Sequence, residues 1–105
     1  MTSRQYDVHR VVGLRTGSVV DLAIVLQDDS LDHLSTRVVA PLVQIDEEAA
    51  IDRSTPIVEM HGARYLIAVH LLATIPLRNL GTQVATMKSH ERAIKNAIDT
   101  VFFGV

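Results

Sequence analysis

Apolar positions along this chain repeat with one period over most of its length and with another at its end. From Tyr6 to Leu77 they fall in short runs rich in β-branched and aliphatic residues, the pattern of strands; from Ser89 onward they recur at spacings of three and four, the pattern of a helix. Tyr6 to Val12 reads as a first strand, and Gly13 to Ser18, with two glycines, as a turn. Val19 to Leu26 is a strong second strand, closed by Gln27-Asp28-Asp29-Ser30 and a polar loop reaching Thr36. Arg37 to Leu42 is a third. Its Pro41 has no N–H to give to a ladder, which puts the strand at a sheet edge or ends it there. Ile45 to Ser54 fits a helical turn or a loop equally well. Ile57 to Met60 and Tyr65 to Leu71 flank His61-Gly62-Ala63-Arg64 as a β-hairpin. Ala73 to Leu77 extends the apolar pattern, and Gly81 reads as another turn. Ser89 suits a helix N-cap, Glu91 suits the first turn, and Ile94, Ala97, Ile98, Val101 and Phe102 make an amphipathic stripe. The expectation is one domain over 1–105, mainly β, a small barrel with strands over about 6–77 and a C-terminal helix over about 89–103.

Composition narrows what such a domain can do. Hydrophobic residues make up 48% of 105 positions and charged residues 21%, so the chain has enough apolar content to fold. The net charge of −2 carries no basic excess for nucleic acid. Without cysteine there is no disulfide, thiolate metal site or cysteine nucleophile. The first residues lack the apolar segment of a secretory signal, and no apolar run reaches the roughly 18 residues of a membrane span. A cytoplasmic location is expected.

The end of the chain is unusual. Only four aromatics occur, and Phe102 and Phe103 are two of them. At about 100° per residue, Phe102 lies roughly 80° from Ile94, at the margin of the apolar stripe, and Phe103 about 180° away, on the side of Arg92, Asn96 and Asp99. Exposing a phenyl ring forgoes roughly 1.5–3 kcal/mol of burial. A protein partner that covers the ring, a dimer interface, or a helix that ends near Thr100 and turns Phe103 into the core would each account for it.

The terminal segment Glu91-Arg92-Ala93-Ile94-Lys95-Asn96-Ala97-Ile98-Asp99-Thr100-Val101-Phe102-Phe103-Gly104-Val105 closely resembles the C-terminus of the CcdB toxin family. Asp21 to Asp32, Arg37-Val38-Val39-Ala40-Pro41-Leu42, Pro56-Ile57-Val58 and Ser89-His90 are similar as well. The resemblance implies an SH3-like barrel with a C-terminal helix, forming a homodimer. It further implies a toxin that binds the A subunit of DNA gyrase and traps cleaved DNA. A cognate antitoxin would neutralise it, and operator DNA would be reached only through that antitoxin. Carried residue by residue, the gyrase-facing set is Ser30, Leu31, Asp99, Phe102, Phe103, Gly104 and Val105. Phe103 stands where the best-known members have Trp, and a phenyl ring stacks on arginine more weakly.

Catalytic readings weigh less on these residues. His9, His33, His61, His70 and His90 form no close pair, and scattered structural histidines account for them. Asp28, Asp29, Asp32 and His33 share a loop that fits no cation motif, so it reads as solvated. No nucleophile elbow or phosphate loop is present. The expectation is a non-enzyme without cofactor or metal. The alternatives are an endoribonuclease toxin on the same barrel class, drawing on Arg10, Arg15, Arg53 or Arg64 for phosphates, or a non-toxic antitoxin-binding dimer.

Overall fold

The computed structural model describes residues 4–12, 20–45 and 52–105. Among the described residues seven strands precede one helix: β1 (Asp7–Val12), β2 (Val20–Val25), β3 (Thr36–Ile45), β4 (Ile57–Met60), β5 (Ala63–Ile67), β6 (Ala73–Pro76), β7 (Leu80–Thr86) and α1 (Glu91–Phe103). Short 3₁₀ turns at Asp29–Leu31, Val69–Leu71, Leu77–Asn79 and Lys88–His90 join them. All pairings are antiparallel, in the order β4-β5-β3-β2-β1-β7, with β6 also on β3. Because β6 lies on β3, β7 lies on β1 and only Leu77–Asn79 separates them, the sheet curls back toward itself. The result is a small antiparallel half-barrel with one C-terminal helix, as the apolar pattern predicts.

The central strands β1, β2 and β3 bury residues on both faces, and their period-two alternation sorts those residues between the two. Val8, Ile24, Ala40 and Leu42 face the larger cluster, which Val58, Met60, Ile67, Met87, Ile94 and Ala97 complete. Val11, Ala23, Val25 and Val39 face the smaller one, closed by Ile75 and Leu80. His9 shares the face of Val11. Its Nδ1–H donates to the Gly81 carbonyl at 3.0 Å, while Nε2 is buried with no hydrogen-bond partner among the described residues.

Four local expectations are corrected. β3 is a central strand that runs on through Pro41, not an edge strand ending there. On one side it pairs with β2; on the other it pairs with β6 over 36–39 and with β5 over 42–45. Pro41 falls in the gap between those two partners, and its carbonyl accepts from Ala68 N at 2.9 Å, so the missing N–H costs no ladder bond. Gly81 lies within β7 rather than in a turn. The register between β1 and β7 shifts on both sides of His9, and a Cβ on Gly81 would stand 3.1 Å from the Arg10 carbonyl oxygen. The hairpin turn is two residues, His61 (φ 53°) and Gly62 (φ 79°), so Met60 pairs with Ala63. Ser89 sits in a 3₁₀ turn; His90 is the residue before the helix, and its side chain makes no capping bond. The turn expected at Gly13 to Ser18, and positions 46–51 of the ambiguous stretch from Ile45 to Ser54, lie outside the described residues.

Candidate functional site

The helix is built to bury its beginning and present its end. Ile94 and Ala97 are fully buried, Ile98 and Val101 half-buried, and α1 packs on the Val69–Leu71 turn. Phe102 is 59% exposed and Phe103 75% exposed, so Phe103 does not turn into the core. The two ring centroids lie 6.5 Å apart, tilted by 50°, which makes one aromatic knob of two side chains. Gly104 adopts the left-handed conformation (φ 72°) that ends the helix, its N–H donating to the Thr100 carbonyl at 3.0 Å. The Thr100 hydroxyl stands 2.8 Å from the Val105 carbonyl oxygen, folding the last residue back over the final turn. Asp99 is exposed on the side of Phe103.

Ser30 and Leu31 lie in the tightly held loop between β2 and β3. The Asp28 carboxylate accepts from Ser30 N at 2.9 Å, and Asp29 Oδ1 accepts from Gln5 N at 2.8 Å. Hydrogen bonds from the Ser30 hydroxyl and amide hold the Asp28 carboxyl below its ordinary value. Arg37 anchors the loop from below. Its guanidinium, 3% exposed with its residue, donates to the carbonyls of Leu34 and Thr36 at 2.8 Å each and of Asp32 at 3.1 Å. The seven expected contact residues come from two elements: Asp99, Phe102, Phe103, Gly104 and Val105 from the end of α1, and Ser30 with Leu31 from the β2–β3 loop. Nearby, the buried Tyr6 hydroxyl has no hydrogen-bond partner among the described residues. Burial raises its pKa, and the Glu91 carboxylate adds to the rise.

A second feature escapes the sequence reading. A pocket of about 450 Å³ is lined by Thr55, Pro56, Ile57, Val58, Glu59, Arg64 and His90. Glu59 and Arg64 are cross-strand partners in the β4–β5 hairpin, and His90 arrives from the turn before α1. Placing four residues in the hairpin turn would pair Met60 with Tyr65 and separate Glu59 from Arg64. The two-residue turn signalled by His61-Gly62 brings them together. Among the described residues, no three His, Asp or Glu side chains converge as metal ligands, and no helix is long and apolar enough to cross a membrane.

The family model described as CcdB protein matches residues 5–104. No curated protein sequence matches the chain. Among solved structures it is similar to an endoribonuclease in complex with its cognate antitoxin from Mycobacterial species (TM-score 0.73, 14% identity, 93% of this chain and 92% of that one). It is similar to the Mycobacterium tuberculosis toxin MazF-mt6 (TM-score 0.73, 20% identity, 91% and 95%). An endoribonuclease from Mycobacterial species follows (TM-score 0.70, 14% identity, 96% and 91%). These likenesses correct the expectation of a non-enzyme. Proteins of this architecture include endoribonucleases, so an outward aromatic tip is no argument against catalysis elsewhere on the barrel.

Proposed function

Since this chain belongs to the CcdB family and is a toxin of a toxin–antitoxin system, we propose that it binds the A subunit of DNA gyrase through the tip of its C-terminal helix. The observation that carries the reading is the 75% exposure of Phe103 beside an exposed Phe102. An aromatic ring left in water at a helix end gains free energy when a partner covers it, and its π face accepts an arginine. Gly104 lets a partner's backbone come close to the knob. Asp99 adds a carboxylate on the same side, and Val105 an apolar end. Ser30 and Leu31, on the β2–β3 loop, join the contact if the partner surface is broad or if a second protomer supplies them. A homodimer, for which exposed Leu71 and Phe102 offer apolar surface, would set two tips to hold the gyrase A dimer open around cleaved DNA. A cognate antitoxin would release the target, acting in the cytoplasm and reaching operator DNA itself. The test is growth under induced expression in cells with normal and with toxin-resistant gyrase, joined to binding of a gyrase A fragment. Growth arrest in the first cells alone, lost when Phe103 to Val105 are deleted, supports the reading; undiminished affinity after that deletion overturns it.

A second reading is favoured by a specific observation. The pocket holding Glu59, Arg64 and His90 combines a carboxylate, a guanidinium and an imidazole. That set suits an endoribonuclease, the activity named for the mycobacterial structures above. Purified protein that cleaves RNA would support it.

A further inference from the structure

We propose that the pocket beside the β4–β5 hairpin is the catalytic subsite for single-stranded RNA, with Arg64 on the scissile phosphate and Glu59 and His90 moving the protons. This rests on the endoribonuclease reading and gives it a site.

Cleaving RNA at a phosphodiester needs a base for the 2′-hydroxyl, an acid for the departing 5′-oxygen and a cation for the charge that builds on phosphorus. The pocket supplies one of each, from β4, β5 and the turn before α1. Glu59 and Arg64 are directly opposite in an antiparallel pair, so both side chains leave the same face of the hairpin with Cβ atoms about 5 Å apart. They make no ion pair with each other. Among the described residues the side chains of Glu59, Arg64 and His90 make no hydrogen bond at all, whereas Asp28, Asp29, Asp52 and Glu91 are all engaged. His90 is half-buried, and its backbone N–H donates to the Met87 carbonyl at 2.9 Å. Pro56 and Ile57 form an apolar wall for a base. At about 450 Å³ the pocket is in the size range of small-molecule sites, enough for one nucleotide.

The step balances without a co-reactant. The Glu59 carboxylate takes the 2′-hydroxyl proton as O2′ bonds to phosphorus. Protonated His90 gives its proton to O5′ as the P–O5′ bond breaks. Arg64 donates two N–H groups to the non-bridging oxygens as their charge rises. The products end in a 2′,3′-cyclic phosphate and begin with a 5′-hydroxyl. Proton exchange with solvent then restores the ionised carboxylate and the imidazolium.

The test uses the full chain and a labelled single-stranded RNA long enough to contain every pentamer. Discrete cuts with cyclic-phosphate ends are expected, and a DNA of the same sequence should stay intact. Glu59→Gln and His90→Gln should each slow cleavage about 100-fold or more. Both should melt within about 2 °C of the parent. The rate of the parent should be bell-shaped in pH, with the acid limb lost in E59Q and the alkaline limb lost in H90Q. Arg64→Ala should raise KM about tenfold, with part of the loss restored in Arg64→Lys. Parent-like cleavage by both E59Q and H90Q would overturn the site while leaving an endoribonuclease; no cleavage by the parent would overturn the site and the reading together.

Discussion

The two ends of the C-terminal helix meet different surroundings. Its first turns bury Ile94 and Ala97 in the large cluster and adjoin the pocket that His90 lines. Its last turn carries two exposed phenylalanines and a left-handed glycine. About 20 Å of helix separates the two ends. Burying a side chain such as isoleucine contributes roughly 1.5–3 kcal/mol, and the beginning of the helix collects that contribution while the end forgoes it. A single element thus ties the barrel together at one end and leaves apolar surface unspent at the other. Stability and partner binding should therefore be separable by mutation along 13 residues.

The largest effect that would sharpen the contrast lies at the buried end. Ile94→Ala leaves a cavity between the helix and the sheet, and a loss of about 2–5 kcal/mol is expected in chemical denaturation. A loss below about 1 kcal/mol would mean that the helix is only loosely seated. Next comes Phe103→Ala at the exposed end. Stability should move by no more than about 0.5 kcal/mol, while affinity for the gyrase A fragment falls by about 2 kcal/mol, roughly 30-fold. Should Phe103→Ala unfold the domain as Ile94→Ala does, the two ends are not different in kind.

The helix was readable in the sequence because its 3.6-residue period is local: Ile94 to Val101 show it, and the same arithmetic puts Phe103 opposite Ile94. The central strands were readable for the same reason, with Val8, Ile24 and Leu42 alternating against Val11, Val25 and Val39. What stayed hidden depends on neighbours distant in sequence. Pro41 looked like an edge residue because nothing local reveals that its partners change from β6 to β5 at that point. β7 stayed hidden because Gly81 reads as a turn; it lies in a strand because β1 pairs with β7 through an irregular register. Arg37 gave no sign of burial, since the carbonyls that satisfy it belong to a loop whose path only the fold sets. The pocket depended on one hairpin register and on where His90 falls against β4.

A smaller effect probes how the tip is held. Gly104 has open space where a Cβ would be, so Gly104→Ala meets no clash; only its φ of 72° is strained. The expected cost is about 1 kcal/mol or less, confined to the last turn. It should appear as faster amide exchange at Gly104 and beyond, with exchange at Ile94 and Ala97 unchanged. Slower binding of the target by this variant would show that the left-handed end fixes how Phe103 is presented, whereas unchanged binding would reduce the role of Gly104 to a helix stop.

The smallest effects are electrostatic and belong to the start of the helix and the β2–β3 loop, with opposite pH dependence. The Asp28 carboxyl is held below its ordinary 3.8 by the Ser30 hydroxyl and amide. A depressed folded-state value means the stabilisation is full above the unfolded carboxyl value and fades as pH falls through the folded one. The Lys95 ammonium is raised above its ordinary 10.5, first by its hydrogen bond to Glu91, 3.0 Å away. That contribution is full below the unfolded lysine value and fades as pH rises through the folded one. The melting difference between parent and Ser30→Ala should thus shrink on the acid side, and that between parent and Glu91→Gln should shrink as pH rises through the Lys95 value. Both groups are solvent-exposed and screened, so each difference should also narrow in added salt. A Glu91→Gln difference that persists at alkaline pH would show that Glu91 acts through the first turn of the helix and not through Lys95.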